Sequence, residues 1–264
     1  MDKSSLRVGL VQTDIVWEDP AANYELMATQ LAAAPASDVL ILPEAFSTGF
    51  SMRGDGWESD KGRSCLTFLK EQAQALDCAV CGSTFYRPAA GARVVNRFFF
   101  VEPSGKTQHY DKRHRFAMAG EHEAYGPGNA SPVVVEYLGW RLLLQVCYDL
   151  RFPVFSRNTP GHESYDVAIY VANWPDARRH HWRMLLTARA IENQSYVLGV
   201  NRVGVDATGL GYAGDSLAID PNGHVIADLE NKSSVALVVI DRSEVAQTRE
   251  RLPFLLDADD FQLH

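Results

Sequence analysis

Short apolar segments alternate with amphipathic segments along the whole chain. The apolar segments have the length of buried strands, and the amphipathic ones repeat apolar residues at helical spacing. The pattern predicts strands at 6–12, 38–43, 78–85, 94–101, 133–137, 140–147, 166–173, 196–203, 214–220 and 235–240, and helices at 21–34, 62–76 and 177–194. A polar, basic segment at 106–128 interrupts it. We therefore predict an α/β fold in which helices flank β-sheets.

The chain shows no low-complexity linker and no short internal repeat. Of its 264 residues, 46% are hydrophobic, which is enough to bury a substantial core. We therefore predict a single domain over residues 1–264. The tripeptide Pro221-Asn222-Gly223 predicts a hairpin turn between two late strands.

Charge and hydropathy exclude several classes of protein. The formal net charge of −8 disfavours nucleic-acid binding, which needs a basic surface against phosphate. The longest apolar runs, such as SVALVVI and DVAIYVANW, are too short to cross a bilayer, and residues 1–12 do not resemble a signal peptide. We expect a soluble cytoplasmic protein that binds neither nucleic acid nor membrane.

The four cysteines do not predict a disulfide framework in a chain of this length. Cys78 and Cys81 form a CxxC pair, but they fall in a predicted strand, where positions three apart point to opposite faces. His180 and His181 have no third ligand at a suitable spacing. We therefore predict core thiols at 78 and 81, and no metal.

The segment 209–214, GLGYAG, matches the dinucleotide-binding pattern GxGxxG. That pattern binds pyrophosphate only between a strand and the N-terminus of a helix. Here it leads into DSLAIDPNG, which predicts a strand and a turn. The glycines are better explained by a tight loop beside another backbone, and we predict no nucleotide cofactor.

Three residues whose side chains could take part in catalysis lie at or shortly after the ends of predicted strands. Glu44 ends ILPE, Lys112 lies in YDKRH, and Cys147 ends LLLQVC. Loops beyond strand ends commonly form the ligand sites of α/β proteins. A thiol nucleophile, a carboxylate base and an ammonium for the oxyanion suffice for acyl transfer, and the ammonium would also favour the thiolate. Taken singly, the glutamate and the lysine are more typical of a capping or solvated charge than of a catalytic group, and the cysteine is more typical of a core thiol.

These segments together resemble the nitrilase superfamily of carbon–nitrogen hydrolases. The Glu-Lys-Cys triad of that family is similar to Glu44 in ILPEAFSTGF, Lys112 in YDKRHRF and Cys147 in LLLQVCYDLRFP. The likeness extends from VGLVQTDIVWEDPAAN to YAGDSLAIDPNG, and PEAFSTGFSM and VANWPDAR are most similar to bacterial omega-amidases. The resemblance implies a four-layer α-β-β-α sandwich that forms homodimers through helices.

The resemblance also implies an activity that requires no cofactor. Omega-amidases hydrolyse the terminal amide of 2-oxo acids such as 2-oxoglutaramate and 2-oxosuccinamate, through a cysteine thioester, and release ammonia. A role in clearing deaminated glutamine or in methionine salvage would follow. Two alternatives stay open: a related hydrolase acting on N-carbamoyl compounds or aliphatic amides, and a non-catalytic sensor or scaffold with the same fold.

Further site residues follow from the resemblance. A second glutamate near the lysine corresponds to Glu121, with Glu123 as the alternative. Asp149 and Arg151 are expected to brace the turn after Cys147 as a buried pair. The substrate carboxylate needs a cation, for which the candidates are Arg115, Arg178 and Arg179. The predicted pocket residues are Tyr148, whose backbone N–H would bind the oxyanion, Asn173, Trp174, Phe116 and Arg115.

Overall fold

A computed structural model describes residues 2–54, 64–159 and 164–263. The strands are β1 (Ser5–Gln12), β2 (Val39–Ile41), β3 (Ala79–Tyr86), β4 (Val95–Val101), β5 (Thr107–Asp111), β6 (Val133–Tyr137), β7 (Trp140–Val146), β8 (Val167–Ala172), β9 (Tyr196–Asn201), β10 (Val203–Val205), β11 (Gly211–Ala213), β12 (Leu217–Ile219), β13 (Val225–Asp228) and β14 (Ser234–Asp241). The helices are α1 (Pro20–Ala33), α2 (Cys65–Leu76), α3 (Glu121–Ala124), α4 (Arg179–Asn193) and α5 (Arg242–Arg251).

Most of these strands form two six-stranded mixed sheets. The first sheet has the order β14-β1-β2-β3-β4-β5, and the second has the order β13-β12-β9-β8-β7-β6. The central strands of each sheet, β1-β2-β3 and β7-β8-β9, run parallel, and the outer strands are antiparallel. Parallel neighbours need crossover connections, which α1, α2 and α4 supply on the outer faces for three of the four parallel pairs. The described part of the connection between β7 and β8 contains two 3-10 turns instead.

Three apolar clusters hold four layers together. Between the sheets, residues such as Leu10 and Phe98 of the first share one cluster with Leu144 and Leu198 of the second. A second cluster packs α1 and α2 against the outside of the first sheet, and a third packs α4, including Trp182, against the second. The predicted α-β-β-α sandwich is therefore confirmed.

Capping residues set the ends of the helices α1 and α2. Asp19 caps α1 by accepting a bond from the Ala22 N–H at 3.0 Å, and Pro20 occupies the first turn, where no N–H is needed. Ser64 caps α2, which ends at Asp77 in a left-handed conformation. The predicted helices at 21–34 and 177–194 are confirmed to within a few residues, while residues 62 and 63 of the third lie outside the described residues.

The polar segment 106–128 is more regular than the sequence predicted. It contains β5, which is the edge strand of the first sheet, and the single turn α3. An edge strand with one solvated face has little apolar signal, and only Tyr110 of β5 is fully buried. The prediction also missed α5, in which only Val245 and Thr248 are buried.

The two discounted motifs have structural explanations. Cys81 lies in the cluster between the sheets and Cys78 in the cluster under α1 and α2, so the two thiols face opposite sides as predicted. In the GxGxxG segment, β11 pairs with β10 in a ribbon, and β12 follows instead of a helix. At Gly214, a Cβ would lie 2.4 Å from the side chain of Gln12, so this glycine permits a close approach. Within the described residues, no helix has the length and apolar character needed to cross a membrane.

Candidate active site

Glu44 lies just beyond β2 and is completely buried. Its Oε1 accepts hydrogen bonds from Lys112 Nζ at 2.9 Å and from Asn96 Nδ2 at 2.8 Å. Its Oε2 accepts a bond from the backbone N–H of Asn173 at 2.8 Å. The first sheet thus supplies the carboxylate, and the loop after β8 in the second sheet helps to orient it.

Lys112 follows β5 and is also buried. Besides Glu44, it donates to both carboxylate oxygens of Glu121, at 3.0 and 2.9 Å. Glu121 is fully buried, whereas the side chain of Glu123 is 80% exposed. The structure therefore places Glu121, and not Glu123, as the second glutamate beside the lysine.

Cys147 lies directly after β7, at the first position of a 3-10 turn, with φ of 47°. A non-glycine residue with positive φ is uncommon and costs conformational energy, so its surroundings must hold it there. Asp149 does so, since its buried Oδ2 accepts the Val146 N–H at 2.9 Å.

Asp149 also connects this turn to the segment that carries the lysine. Its Oδ2 accepts a bond from Tyr110 Oη at 2.8 Å, and its Oδ1 lies 3.0 Å from the His114 N–H and 2.8 Å from His114 Nδ1. Tyr110 and His114 flank Lys112, so one carboxylate fixes both the lysine segment and the cysteine turn. The predicted pairing of Asp149 with Arg151 is wrong, because Tyr110 and His114 occupy the carboxylate and Arg151 packs over Trp174 instead.

The charges of Glu44, Lys112 and Glu121 depend strongly on one another. Burial disfavours the charged form of Lys112, but the carboxylates of Glu121 and Glu44 outweigh burial and raise the pKa of Lys112. Burial and the charge of Glu44 raise the pKa of Glu121, although Lys112 acts in the opposite direction. The lysine is therefore held as a cation, close to two carboxyl groups.

The surroundings of Cys147 disfavour ionisation of its thiol. Burial and the charges of Glu44 and Glu121 raise the pKa of Cys147 well above its usual value, and Lys112 offsets them only in part. The lysine acts in the predicted direction, favouring the thiolate, but burial and the charge of Glu44 outweigh it. The arrangement suits removal of the proton by Glu44 as the thiol attacks.

A small cavity of about 80 Å³ borders Cys147. It is lined by Phe50, Phe116, Ala119, Cys147, Tyr148, Arg151, Asn173, Trp174, Pro175, Arg178, Leu210 and Tyr212. Aromatic walls with few polar groups are typical of sites for small ligands.

Four of the predicted pocket residues line this cavity, namely Phe116, Tyr148, Asn173 and Trp174. Arg115 does not, because its Nη1 donates to the carbonyls of His122 and Tyr125 at 3.2 and 2.9 Å and so secures the loop. Of the candidate cations, Arg178 lines the cavity, while Arg179 pairs with Asp215 at 2.8 Å.

The sequence prediction missed two polar residues of the site. Asn96 lies within β4 and reaches both Glu44 and Glu121 with its side-chain amide. Its sequence signal is weak, because Asn96 is one of two adjacent polar residues in the otherwise apolar run VVNRFFF. Arg151 was assigned to a structural ion pair, but it contributes to the cavity wall, because the 3-10 turn that begins at Cys147 brings it there.

A larger cleft of about 940 Å³ lies elsewhere, against β6, β7 and residues 260–263. Its lining includes Arg141, Arg157 and Asp260, but not Cys147 or the groups around it. Size alone would favour this cleft, whereas the buried charges and the strained cysteine favour the smaller cavity. Among the residues that the structure describes, no cluster of His, Cys, Asp and Glu side chains is arranged to hold a metal ion.

Comparison with known proteins identifies the family of this chain. The carbon-nitrogen hydrolase family model matches residues 7–250. The chain belongs to the carbon–nitrogen hydrolase family. It is 44% identical over 259 residues to omega-amidase YafV of Escherichia coli, with 98% of each chain covered. It is 32% identical over 254 residues to 2-oxoglutaramate amidase of Bacillus subtilis, covering 95% of this chain and 96% of that protein.

A solved relative has the same fold. A carbon–nitrogen hydrolase superfamily protein from Xanthomonas campestris, with an arsenic adduct in its active site, superposes with a TM-score of 0.92. It is 41% identical, and the match covers 99% of this chain and 100% of that one. The predicted resemblance to the nitrilase superfamily and its omega-amidase type is confirmed, and this carbon–nitrogen hydrolase is an enzyme.

Proposed function

We propose that this carbon–nitrogen hydrolase cleaves the terminal amide of 2-oxo acid omega-amides, such as 2-oxoglutaramate and 2-oxosuccinamate. The products are the 2-oxo diacid and ammonia. The observation that carries the proposal is the buried Glu44–Lys112–Glu121 cluster, whose charges act directly on the thiol of Cys147. The similarity to omega-amidase YafV and to 2-oxoglutaramate amidase supports the substrate class.

In the first half-reaction, Cys147 Sγ attacks the amide carbonyl carbon as Glu44 takes the thiol proton. The carbonyl oxygen becomes an oxyanion, which the ammonium of Lys112 and the backbone N–H of Tyr148 stabilise. Protonated Glu44 then donates its proton to the amide nitrogen, the C–N bond breaks, and ammonia leaves. The product is a thioester on Cys147. Each such oxyanion donor is worth about 3–4 kcal/mol of barrier.

In the second half-reaction, Glu44 takes a proton from water as the water oxygen attacks the thioester carbonyl. Lys112 and the Tyr148 N–H again hold the oxyanion. The C–S bond then breaks, the 2-oxo diacid leaves, and Glu44 returns its proton to the sulfur. Glu44 thus acts as base and then as acid in both halves, which its hydrogen bonds from Lys112, Asn96 and Asn173 allow without reorientation.

Glu121 has a positioning role in this scheme. It binds Lys112 through both carboxylate oxygens and favours its charged form. Glu121 also accepts the Phe116 N–H at 2.5 Å, so it connects the lysine to the loop that forms one wall of the cavity.

The direct test is release of ammonia from 2-oxoglutaramate by the purified protein, with Cys147→Ser as the control. We expect turnover by the wild type and a loss of roughly four orders of magnitude or more in the variant. Mass spectrometry of the quenched reaction should find the acyl group on Cys147.

Three results would contradict the proposal in different ways. Absence of ammonia from a panel of omega-amides, with turnover of N-carbamoyl compounds or aliphatic amides, would assign the site to a related hydrolase. Inactivity toward all of them would favour a non-catalytic sensor or scaffold. Equal rates for the wild type and Cys147→Ser would exclude the cysteine as nucleophile.

We also propose that the enzyme is a cytoplasmic homodimer that acts in clearing deaminated glutamine or in methionine salvage. The dimer is supported by the family resemblance, and exposed apolar side chains such as Met184 and Ile191 on α4 are compatible with a helical interface. Sedimentation analysis is expected to give twice the mass of the chain.

A further inference from the structure

Two arginines line the cavity beside Cys147. Arg151 comes from the 3-10 turn that begins at the cysteine, and Arg178 comes from the short turn before α4. Both are partly buried, and the described residues that line the cavity include no aspartate or glutamate. The wall of the cavity therefore carries two positive charges.

Aromatic rings fix the positions of both guanidinium groups. Arg151 lies over Trp174 at 4.6 Å from the ring centroid, and Arg178 lies over Phe116 at 5.6 Å. Arg151 Nη2 is also 3.3 Å from His181 Nδ1, and the carbonyl of Arg178 accepts the Trp174 Nε1–H at 2.8 Å. A guanidinium stacked on a ring keeps its N–H donors at its edge, where they can meet a planar anion.

These two charges lack the partners that other arginines of this protein have. Arg97 pairs with Asp111 at 2.6 Å, and Arg179 pairs with Asp215 at 2.8 Å. Within the described parts of the chain, neither Arg151 nor Arg178 forms an ion pair with a carboxylate. Burial and the neighbouring charge of Arg178 lower the pKa of Arg151, so the two cations repel each other. An anion placed between them would relieve this repulsion.

We propose that Arg151 and Arg178 bind the carboxylate of the substrate and select anionic amides over uncharged ones. This inference rests on the proposed amide hydrolysis at Cys147. A carboxylate accepts paired hydrogen bonds from guanidinium groups, and partial burial strengthens them. An uncharged amide would leave both cations without an anion, so it gains nothing from this part of the cavity.

The test compares glutaramate, the monoamide of glutaric acid, with its uncharged methyl ester. The wild type is expected to favour the anion by roughly 10- to 100-fold in kcat/KM. In Arg151→Met, Arg178→Met and the double variant, the ratio of kcat/KM on glutaramate to that on the ester should fall toward one. Methionine retains an apolar chain over the aromatic rings without the charge.

Arg179→Met is the matched control, because it removes a positive charge at the next position, outside the cavity. Arg183 still pairs with Asp215 in that variant, at 3.1 Å in the structure. We expect Arg179→Met to retain the preference for the anion.

A binding measurement separates this proposal from the catalytic one. Calorimetry on Cys147→Ala with 2-oxoglutarate, the diacid product, should show binding that weakens roughly 10- to 100-fold in the double arginine variant. Equal turnover of glutaramate and its ester by the wild type would overturn the arginine subsite while leaving amide hydrolysis intact. Unchanged 2-oxoglutarate binding in the double variant would overturn it as well. Failure to hydrolyse any amide, with normal 2-oxoglutarate binding, would instead overturn the proposed function.

Discussion

At the scale of single residues, the site is governed by the balance of charge around Cys147. Glu44 and Glu121 contribute two carboxyl groups, and Lys112 contributes one ammonium group. Ionising the thiol would add negative charge to a buried cluster that already contains Glu44, and this is why its pKa is raised. The proposed mechanism therefore couples deprotonation of the thiol to attack, with Glu44 as the acceptor.

This balance predicts that Glu44→Gln makes the thiol of Cys147 easier to ionise while it slows hydrolysis strongly. Removing the negative charge lowers the pKa of Cys147, so the pH profile of alkylation by iodoacetamide should move to lower pH. Ammonia release should fall by roughly two orders of magnitude or more, because the general base is lost. Alkylation is followed by mass spectrometry at Cys147 across a pH series.

Lys112→Met is the opposing variant for the same experiment. The lysine is the group that lowers the pKa of Cys147, so its removal should move the alkylation profile to higher pH. If both variants shifted the profile in the same direction, the electrostatic account of the cluster would be wrong.

At the scale of elements, the turn after β7 and the segment after β5 meet at one buried carboxylate. Asp149 receives hydrogen bonds from Tyr110, from His114 and from the backbone of Val146, and it therefore fixes Lys112 relative to Cys147. Because β5 and β7 belong to different sheets, this contact also connects the two sheets beside the site.

We predict that Asp149→Asn lowers both stability and kcat. The side-chain amide of the asparagine would point an N–H donor at groups that now donate to the Asp149 carboxylate. This mismatch should lower the free energy of unfolding by about 1–3 kcal/mol at a buried site and disturb the positive-φ turn at Cys147. Denaturant unfolding and steady-state kinetics measure the two effects.

Asp220→Asn provides a matched control at the hairpin between β12 and β13. Asp220 accepts bonds from the His224 N–H and from the Asn222 N–H and lies 2.9 Å from His224 Nδ1, so it is also a carboxylate held by backbone N–H groups and a histidine. In the second sheet, β9 and β8 lie between β12 and the β7 strand that leads to Cys147. This variant should lose stability and retain kcat. An unchanged kcat in Asp149→Asn would show that its carboxylate does not position the catalytic groups.

The sequence predicted those site residues that end strands, and it failed for those whose role depends on strand pairing. Glu44 and Cys147 each follow an apolar run, so their position beyond the carboxyl end of a buried strand could be inferred. Asn96 reaches Glu44 only because β4 lies between β3 and β5, which no local pattern specifies. The role of Arg151 depends on packing against Trp174, a contact between distant segments. The sequence also failed to predict β5 and α5. Few of their residues are buried, so neither segment shows a clear repeat of apolar residues.

At the scale of the whole molecule, both sheets contribute to one core. Phe98 and Phe100 of the first sheet share a cluster with Leu142 and Ile169 of the second. The proposed catalytic groups are divided in the same way, with Glu44 and Lys112 from the first sheet and Cys147 from the second. Separating the sheets would therefore expose the core and dismantle the site together.

We predict a single cooperative unfolding transition, as expected for the single domain inferred from the sequence. Neither sheet can separate from the other without exposing the shared apolar cluster to water. The free energy lost by this exposure should make the two sheets unfold together. In calorimetry, the van't Hoff and calorimetric enthalpies should agree per folded unit, and activity should be lost within the same transition. Two resolved transitions, with activity lost in only one, would indicate separate folding units.

The pairing of β14 with β1 has a consequence for biosynthesis. Ser234 to Asp241 run antiparallel to the full length of β1, and they are translated after all the other strands. Until the ribosome reaches them, β1 is an edge with unpaired N–H and C=O groups, which is the kind of edge that recruits other chains. A nascent chain halted before residue 234 would therefore lack β14. Its first sheet, which positions Glu44 and Lys112, would be left with β1 as an unpaired edge strand. We expect such fragments to aggregate rather than retain partial activity.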